Sequence, residues 1–445
     1  MSNDRETVVI SDLHIGGGLA DPGDDHIYQK DQLVRLLRTE ADTPAGRDGR
    51  LELYINGDFL EFAQANQAAF SHVSDDYWCS EAESLAKLET IVAGHRDIFD
   101  ALAAFQATGN LVTIAAGNHD VDLYWPAVQR RLREAVGDAL RFELGQEWVQ
   151  RYDGRLQIAH GHMSDKANRF EHWDNPILGI DWGAQRLEMC PGTLFMVKFV
   201  NKLEAKYPFA DNLLPVSKLA TVLLRDDKSG FAAIGWMFSV FALGTSLAVL
   251  GTGATDNNVG TRLLQRLRTD EAFAARIDRA LQEHDVARAT PDRPLRDASP
   301  HELAALMFEL LGPMDIADWQ ALFDVPASSH TLGTDDVTLS ALVQAGFDDG
   351  KQSLRSVAQQ RVDATGATVV VMGHTHQPDT KRLDGDAVSY NPGCWTRYLE
   401  LRPGQSVTLA DLRDESRYPY QLNVVRVSPG DDGSLVSRMT CFEQG

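Results

Sequence analysis

Five times in this chain a short run of β-branched and apolar residues stops at a cluster of Asp, Asn or His. The runs are residues 7–12 (TVVISD), 51–58 (LELYINGD), 111–118 (LVTIAAGN), 156–160 (LQIAH) and 368–372 (TVVVM). Apolar runs of this length, rich in Val and Ile and ending at polar residues, predict buried strands. Between the first three lie residues 31–40 and 84–106, where apolar residues recur three and four apart and predict helices. That alternation is α/β. Beyond 372 the pattern turns hairpin-like, at residues 387–390, 421–427 and 434–441. Residues 1–165 and 356–445 are therefore expected to form one domain.

Between them, residues 166–355 lose the strand pattern, and Leu, Ala, Phe and Arg recur at helical spacing with breaks at Pro and Gly. A large, mostly helical insertion or cap is expected there. Within it, residues 231–250 (FAAIGWMFSVFALGTSLAVL) carry no charge and are long enough to span a bilayer. A single span would put residues 12–160 and 374–376 on opposite sides of the membrane. Two arrangements avoid this: a helix or hairpin buried in the insertion or packed in a homo-oligomer, or an apolar cap that meets a membrane surface. The first is favoured, because helices apolar all round are ordinary in the interior of large proteins.

Net charge is -22 over 445 residues. Such a surface repels a phosphate backbone and argues against a general nucleic-acid binder. The four cysteines, Cys79, Cys190, Cys394 and Cys441, have no paired spacing, so neither a disulfide framework nor a thiolate zinc site is indicated. A reducing cytoplasm fits, with peripheral membrane contact through 231–250 as the variant. The N-terminus runs from a polar start directly into the first strand, without the pattern of a signal peptide.

The residues after the strands carry the chemistry. They are SDLH (Asp12, His14), NGDFLE (Asp58, Glu61), GNHD (Asn118, His119, Asp120), HGH (His160, His162) and GHTH (His374, His376). In open α/β sheets the carboxyl ends of strands form the ligand crevice, so these segments are expected to converge. Carboxylate and amide oxygens mixed with imidazoles suit Mn, Fe, Zn, Co or Ni rather than calcium. One ion has no use for seven or eight protein ligands, so two ions sharing a carboxylate are expected, about 3.5–4 Å apart. Such a pair clamps both oxygens of a phosphoryl displacement and generates a bridging hydroxide near neutrality. The chemistry implied is hydrolysis.

Taken in order, D-x-H, G-D-x-x-[DE], G-N-H-D, H-G-H and G-H-x-H resemble the motif set of the calcineurin-like metallophosphoesterases. The resemblance covers the outer parts of the chain and implies a β-sandwich flanked by helices. It implies Asp12, His14 and His376 on one ion, Asn118, His160 and His374 on the other, and Asp58 between them. By the same resemblance His119 is no ligand but protonates the leaving group or stabilises phosphoryl charge, with Asp120 orienting its ring. G-D-x-x-E, ending at Glu61, and the later NPGCW (residues 391–395) are similar to the branch containing UDP-2,3-diacylglucosamine hydrolases, which cut a pyrophosphate. The chain differs from those enzymes in carrying His119 where they have Arg, and in its insertion.

Other readings of the same residues stand beside these. Asp12 and Asp58 are also suited to capping helices after strands. Glu61 either hydrogen-bonds a ligand or supports the Asn118 loop, and His162 is an outer contact to a ligand, a substrate contact or an ordinary surface histidine. Gly16, Gly17 and Gly18 form a turn without the lysine of a phosphate loop. The leading expectation is hydrolysis of a small or lipid-linked phosphate ester or pyrophosphate with two divalent ions, most simply manganese. The alternatives are a nuclease of the same superfamily, which the acidic surface disfavours, and a metal-free scaffold that binds partners.

Overall fold

The alternation along β1 (Glu6–Ile10) shows how the layers are built. Val8 and Ile10 enter one core and Val9 another, because successive side chains of a strand point to opposite faces. With both faces covered, the strand reads as an unbroken apolar run. The computed structural model describes residues 5–18, 24, 30–65, 79–165, 167–179, 185–197, 265–284, 293–298, 350–400, 407–430 and 432–442, with isolated residues in 201–227 and 286–322.

β1, β2 (Leu51–Asn56), β3 (Leu111–Ala115) and β4 (Arg141–Glu143) pair in parallel. A second sheet contains β5 (Val149–Arg151), β6 (Leu156–Ala159), β10 (Val369–Met372), β11 (Asp379–Arg382) and β12 (Val388–Asn391), in the order β11-β12-β10-β6-β5. The first sheet is completed by the hairpin of β14 (Asn423–Pro429) and β15 (Leu435–Cys441), with β14 antiparallel to β1. Strands from the two ends of the chain are thus neighbours in one sheet. Among the described residues, two short pairs lie wholly or partly within 166–355, β7 (Ile177–Gly179) with β8 (Gln185–Leu187), and β9 (Leu213–Leu214) with β13 (Leu399–Glu400). The sequence pattern there had suggested helix; the described part of it also holds the helix Glu271–Glu283, capped by Asp270.

Among the described residues, three cores separate the layers. Val9, Tyr54, Val425 and Val427 of the first sheet meet Ile158, Val369, Val371 and Tyr390 of the second. On the other face of the first sheet, Val8, Ile10, Leu53, Ile55 and Ile114 pack against the helices Lys30–Ala41, Glu81–Gly94, Arg96–Ala107 and Pro126–Val136. Val370 and Met372 take Leu354, Ala358 and Val362 of the helix Gly350–Thr365. The protein is mixed α/β, layered helix, sheet, sheet, helix. Burying one such side chain fully is worth about 1.5–3 kcal/mol, so both faces of the central strands select apolar residues.

The stretch 84–106 is two helices. The first begins at a capping box between Ser80 and Glu83 and ends at His95, whose φ of -129° and ψ of 39° leave the helical region. At the break Gly94 touches the loop after β1: a Cβ on Gly94 would lie 2.9 Å from the Gly18 Cα. Close backbone contact therefore accounts for Gly18. The stretch 231–250 lies outside the described residues, and among those described no helix is long and apolar enough to cross a membrane.

Candidate metal centre

Parallel pairing brings the C-terminal ends of β1, β2 and β3 to one edge, and those of β6 and β10 to the facing edge. Asn56 ties the two edges together by donating to the Ala159 carbonyl at 2.9 Å, and within the second the Gly373 N–H donates to the His160 carbonyl at 2.8 Å. The chain must turn sharply there to aim side chains inward. Asp12, His14, Asp58, His374 and His376 all have positive φ, between 49° and 71°. A left-handed conformation costs an L-residue about 1–2 kcal/mol, and among the described residues only three other non-glycine positions adopt it, Tyr152, Asp153 and Asp386. Strain concentrated in this way persists only where surrounding bonds over-determine it. The Asp58 carbonyl accepts from the N–H groups of Leu13 and His14 at 2.8 and 2.9 Å, and the Asp12 carbonyl from Trp395 at 2.9 Å. Asn391 donates to the Gly373 carbonyl and the Thr375 hydroxyl, at 3.1 and 2.9 Å. The NPGCW segment thus clamps two of the ligand loops. Neither Asp12 nor Asp58 caps a helix; both carboxylates are buried in the cleft.

Among the described residues three groups of donors assemble; one is His14, Glu61 and His119, and Asp58 belongs to the other two. Asp12, His14, Asp58 and His376 each offer an atom within 4.8 Å of the others, and so do Asp58, His160 and His374. His160 donates Nδ1–H to the Asn56 carbonyl at 2.8 Å, which leaves the lone pair on Nε2. That nitrogen lies 3.0 Å from the Asp58 Oδ2. His14 donates Nδ1–H to Glu61 at 2.9 Å, and its Nε2 lies 3.0 Å from the His376 Nε2. Acceptors so close repel unless a cation or a proton lies between them. Two ligand atoms about 2.1 Å from one ion and cis to each other are about 3.0 Å apart in octahedral geometry, matching both separations.

Without ions, protons carry that positive charge. Burial disfavours a charged His160, but Asp58 and Asp12 outweigh it and raise the ring to about 9. Burial likewise opposes ionisation of Asp58, yet His160, His119 and His14 hold its carboxyl well below the usual range. Asn118 supplies an oxygen: its Oδ1 is buried with no partner in the protein. A buried acceptor left so costs about 1–3 kcal/mol, which a cation would offset. These residues fit divalent ions.

His119 stands beside these groups. Its backbone N–H donates to the Asp58 Oδ1 at 2.9 Å, and its Nδ1 lies 2.6 Å from the Glu61 Oε2, the oxygen that also accepts from His14. Burial opposes the charged ring, but Glu61 and Asp58 raise it to about 10. Glu61 falls to about 2 because His119 and His14 outweigh its burial. The orienting contact expected of Asp120 is therefore made by Glu61. Asp120 instead accepts the backbone N–H groups of Gly117 at 2.6 Å and Phe59 at 2.8 Å, pinning the two loops together. Burial and the nearby Asp58 push its carboxyl up to about 7.

His162 is not a surface histidine: it is buried, its ring centroid lies 4.4 Å from that of Trp173, and neither ring nitrogen has a partner in the protein. Burial, followed by the charges of His160 and His374, holds it neutral, well below the ordinary value. Two residues absent from the sequence reading also reach the site, Asp165 beside His374 and Asn168 beside Asn118. Both fall after the HGH segment in a stretch without strand or helix periodicity, so no local pattern marks them.

No family model and no curated protein matches the chain. Among solved structures, wild-type Vps29 of Entamoeba histolytica, complexed with Zn2+, is similar at 21% identity over 22% of this chain, with a TM-score of 0.10. The match spans about half of the Vps29 chain (48%), and a likeness at that score carries no argument about fold or function.

Proposed function

We propose that this chain is a dinuclear-metal phosphoesterase of the calcineurin-like type, its two sheets forming the sandwich of that fold. The observation that carries the proposal is the pair of donor groups sharing Asp58, with the Nε2 atoms of His14, His160 and His376 lying 3.0–3.5 Å from other donor atoms of the groups. Asp12, His14 and His376 would hold one ion, Asn118, His160 and His374 the other, and Asp58 both. Mixed oxygen and imidazole donors favour manganese, or iron, zinc, cobalt or nickel. Ions held there supply charge neutralisation for a phosphoryl group and lower the pKa of water.

The protein's own groups do the rest. Glu61 holds His119 by Nδ1, so Nε2 is the atom free to give a proton to the leaving oxygen as the phosphorus–oxygen bond breaks. The bond from the His119 N–H to Asp58 fixes that ring relative to the shared carboxylate. Residues 1–165 and 356–445 form the proposed catalytic domain and 166–355 its cap. A net charge of -22 favours a small or lipid-linked phosphate ester or pyrophosphate over a polynucleotide. The test is metal analysis of the purified chain with hydrolysis of a chromogenic phosphodiester, phosphomonoesters and pyrophosphates. Metal-dependent turnover of one class is expected. A chain that takes up no ions and hydrolyses none of them is instead a binding scaffold.

A further inference from the structure

Asp165 and Asn168 lie where the insertion begins, outside every motif, and they connect two of the donors through a chain of hydrogen bonds with a direction. An ionised carboxylate can only accept. The Asp165 Oδ2 accepts from the His374 Nε2 at 3.1 Å and from the Asn168 Nδ2 at 2.7 Å, while its Oδ1 accepts from the Ala167 N–H at 2.9 Å. Two consequences follow from that one charge. The His374 ring keeps its proton on Nε2, which leaves the lone pair on Nδ1. Asn168 must turn its NH2 toward Asp165 and its carbonyl away, and that carbonyl accepts from the Asn118 Nδ2 at 3.3 Å. Asn118 then has its NH2 engaged and its Oδ1 free, and this is the buried oxygen without a partner.

The same segment is packed so that the chain of bonds cannot easily turn round. Gly192 donates to the Ala167 carbonyl at 2.7 Å, and a Cβ at Gly192 would sit 2.0 Å from the Asn168 Oδ1. Thr193 donates its hydroxyl to the Asn118 carbonyl at 3.3 Å. Neither Asp165 nor Asn168 hydrogen-bonds Asp12, His14 or His376 in any bond described.

We infer that Asp165 and Asn168 are positioning residues for one ion position alone, fixing both the His374 tautomer and the direction of the Asn118 amide. The last residue before the insertion and an early residue within it are then part of that ion's support, and the ion at Asp12, His14 and His376 is independent of them. This rests on the two-ion reading above. Groups of this kind that orient ligands typically change metal affinity about 10- to 100-fold when altered.

The experiment is a calorimetric titration of the metal-free full chain with Mn2+. The unaltered chain shows two binding events. Asp165→Asn, whose amide both donates and accepts and so no longer dictates direction, weakens one event about 10- to 100-fold and leaves the other unchanged. Asp12→Asn, as the counterpart, weakens the other event. Asn168→Ala leaves the bond from His374 to Asp165 in place, weakens the same event by a smaller factor, and covers the case in which Asp165→Asn fails to fold. Two unchanged events in both Asp165→Asn and Asn168→Ala overturn the inference and leave the two-ion reading standing, as does equal weakening of both events. An unaltered chain that binds no ion overturns the two-ion reading itself.

Discussion

Replacing Glu61 with Gln removes one negative charge from beneath two imidazoles, because a single oxygen accepts from both His14 and His119. His119 stands at about 10 against an ordinary 6.5, a difference worth about 5 kcal/mol at 1.36 kcal/mol per unit. Burial lowers it, and Glu61 is the largest of the contributions that raise it. Without that charge the ring titrates lower, with only Asp58 and Asp120 left to offset its burial. For each unit by which its pKa falls below the pH, the protonated fraction drops about tenfold. If His119 protonates the leaving oxygen, Glu61→Gln loses kcat at pH 7.5, by less than the ~10²–10⁴-fold expected of His119→Ala. The two variants separate on acidification. Toward pH 6 Glu61→Gln regains rate relative to the unaltered enzyme, whereas His119→Ala does not. Bound ions lower the ring's pKa in both proteins and shift the profiles together, so the comparison holds. The assay is phosphodiester hydrolysis at saturating Mn2+ from pH 5.5 to 9. Superimposable profiles for Glu61→Gln and the unaltered enzyme would refute the role given to this pair.

Gly117→Ala would place a Cβ 2.1 Å from the Asp58 Oδ1; displacement of the shared carboxylate should reduce both ions and turnover together, read by metal analysis beside rate, and full occupancy would contradict the packing described. His160, raised to about 9 in the metal-free protein, contributes up to about 3 kcal/mol of stability below pH 6.5, which is lost as pH rises through 9. Melting of the metal-free chain should therefore drop between pH 6.5 and 9, and a flat profile would count against a proton standing where an ion binds. Chelator should abolish activity, with recovery best in Mn2+ and poor in Mg2+, since imidazole ligands suit borderline rather than hard cations; equal recovery in Mg2+ would exclude that donor set.

The strands and the donors after them were legible because both signals are local. A strand covered on both faces must be an apolar run, and a donor at its end must be Asp, Asn or His, so residues 7–12 and 111–118 announce both at once. The break at His95 was not legible, since it arises where Gly94 meets Gly18 from a distant loop. Nor was the partner of His119. Asp120, its neighbour in sequence, is occupied by backbone N–H groups, and the ring turns instead to Glu61. Asp165 and Asn168 were invisible for the same reason: their role lies in the direction of hydrogen bonds between segments, which no periodicity records.

Asp58 alone belongs to both donor groups that would hold ions, so Asp58→Asn bears most directly on the two-metal assignment. An amide carries no charge and cannot replace a carboxylate between two dications. Metal content after gel filtration, measured with phosphodiester hydrolysis on the same samples, should show two ions per unaltered chain, with reduced occupancy of both and no turnover in the variant. A variant that retains two ions and the full rate would contradict it.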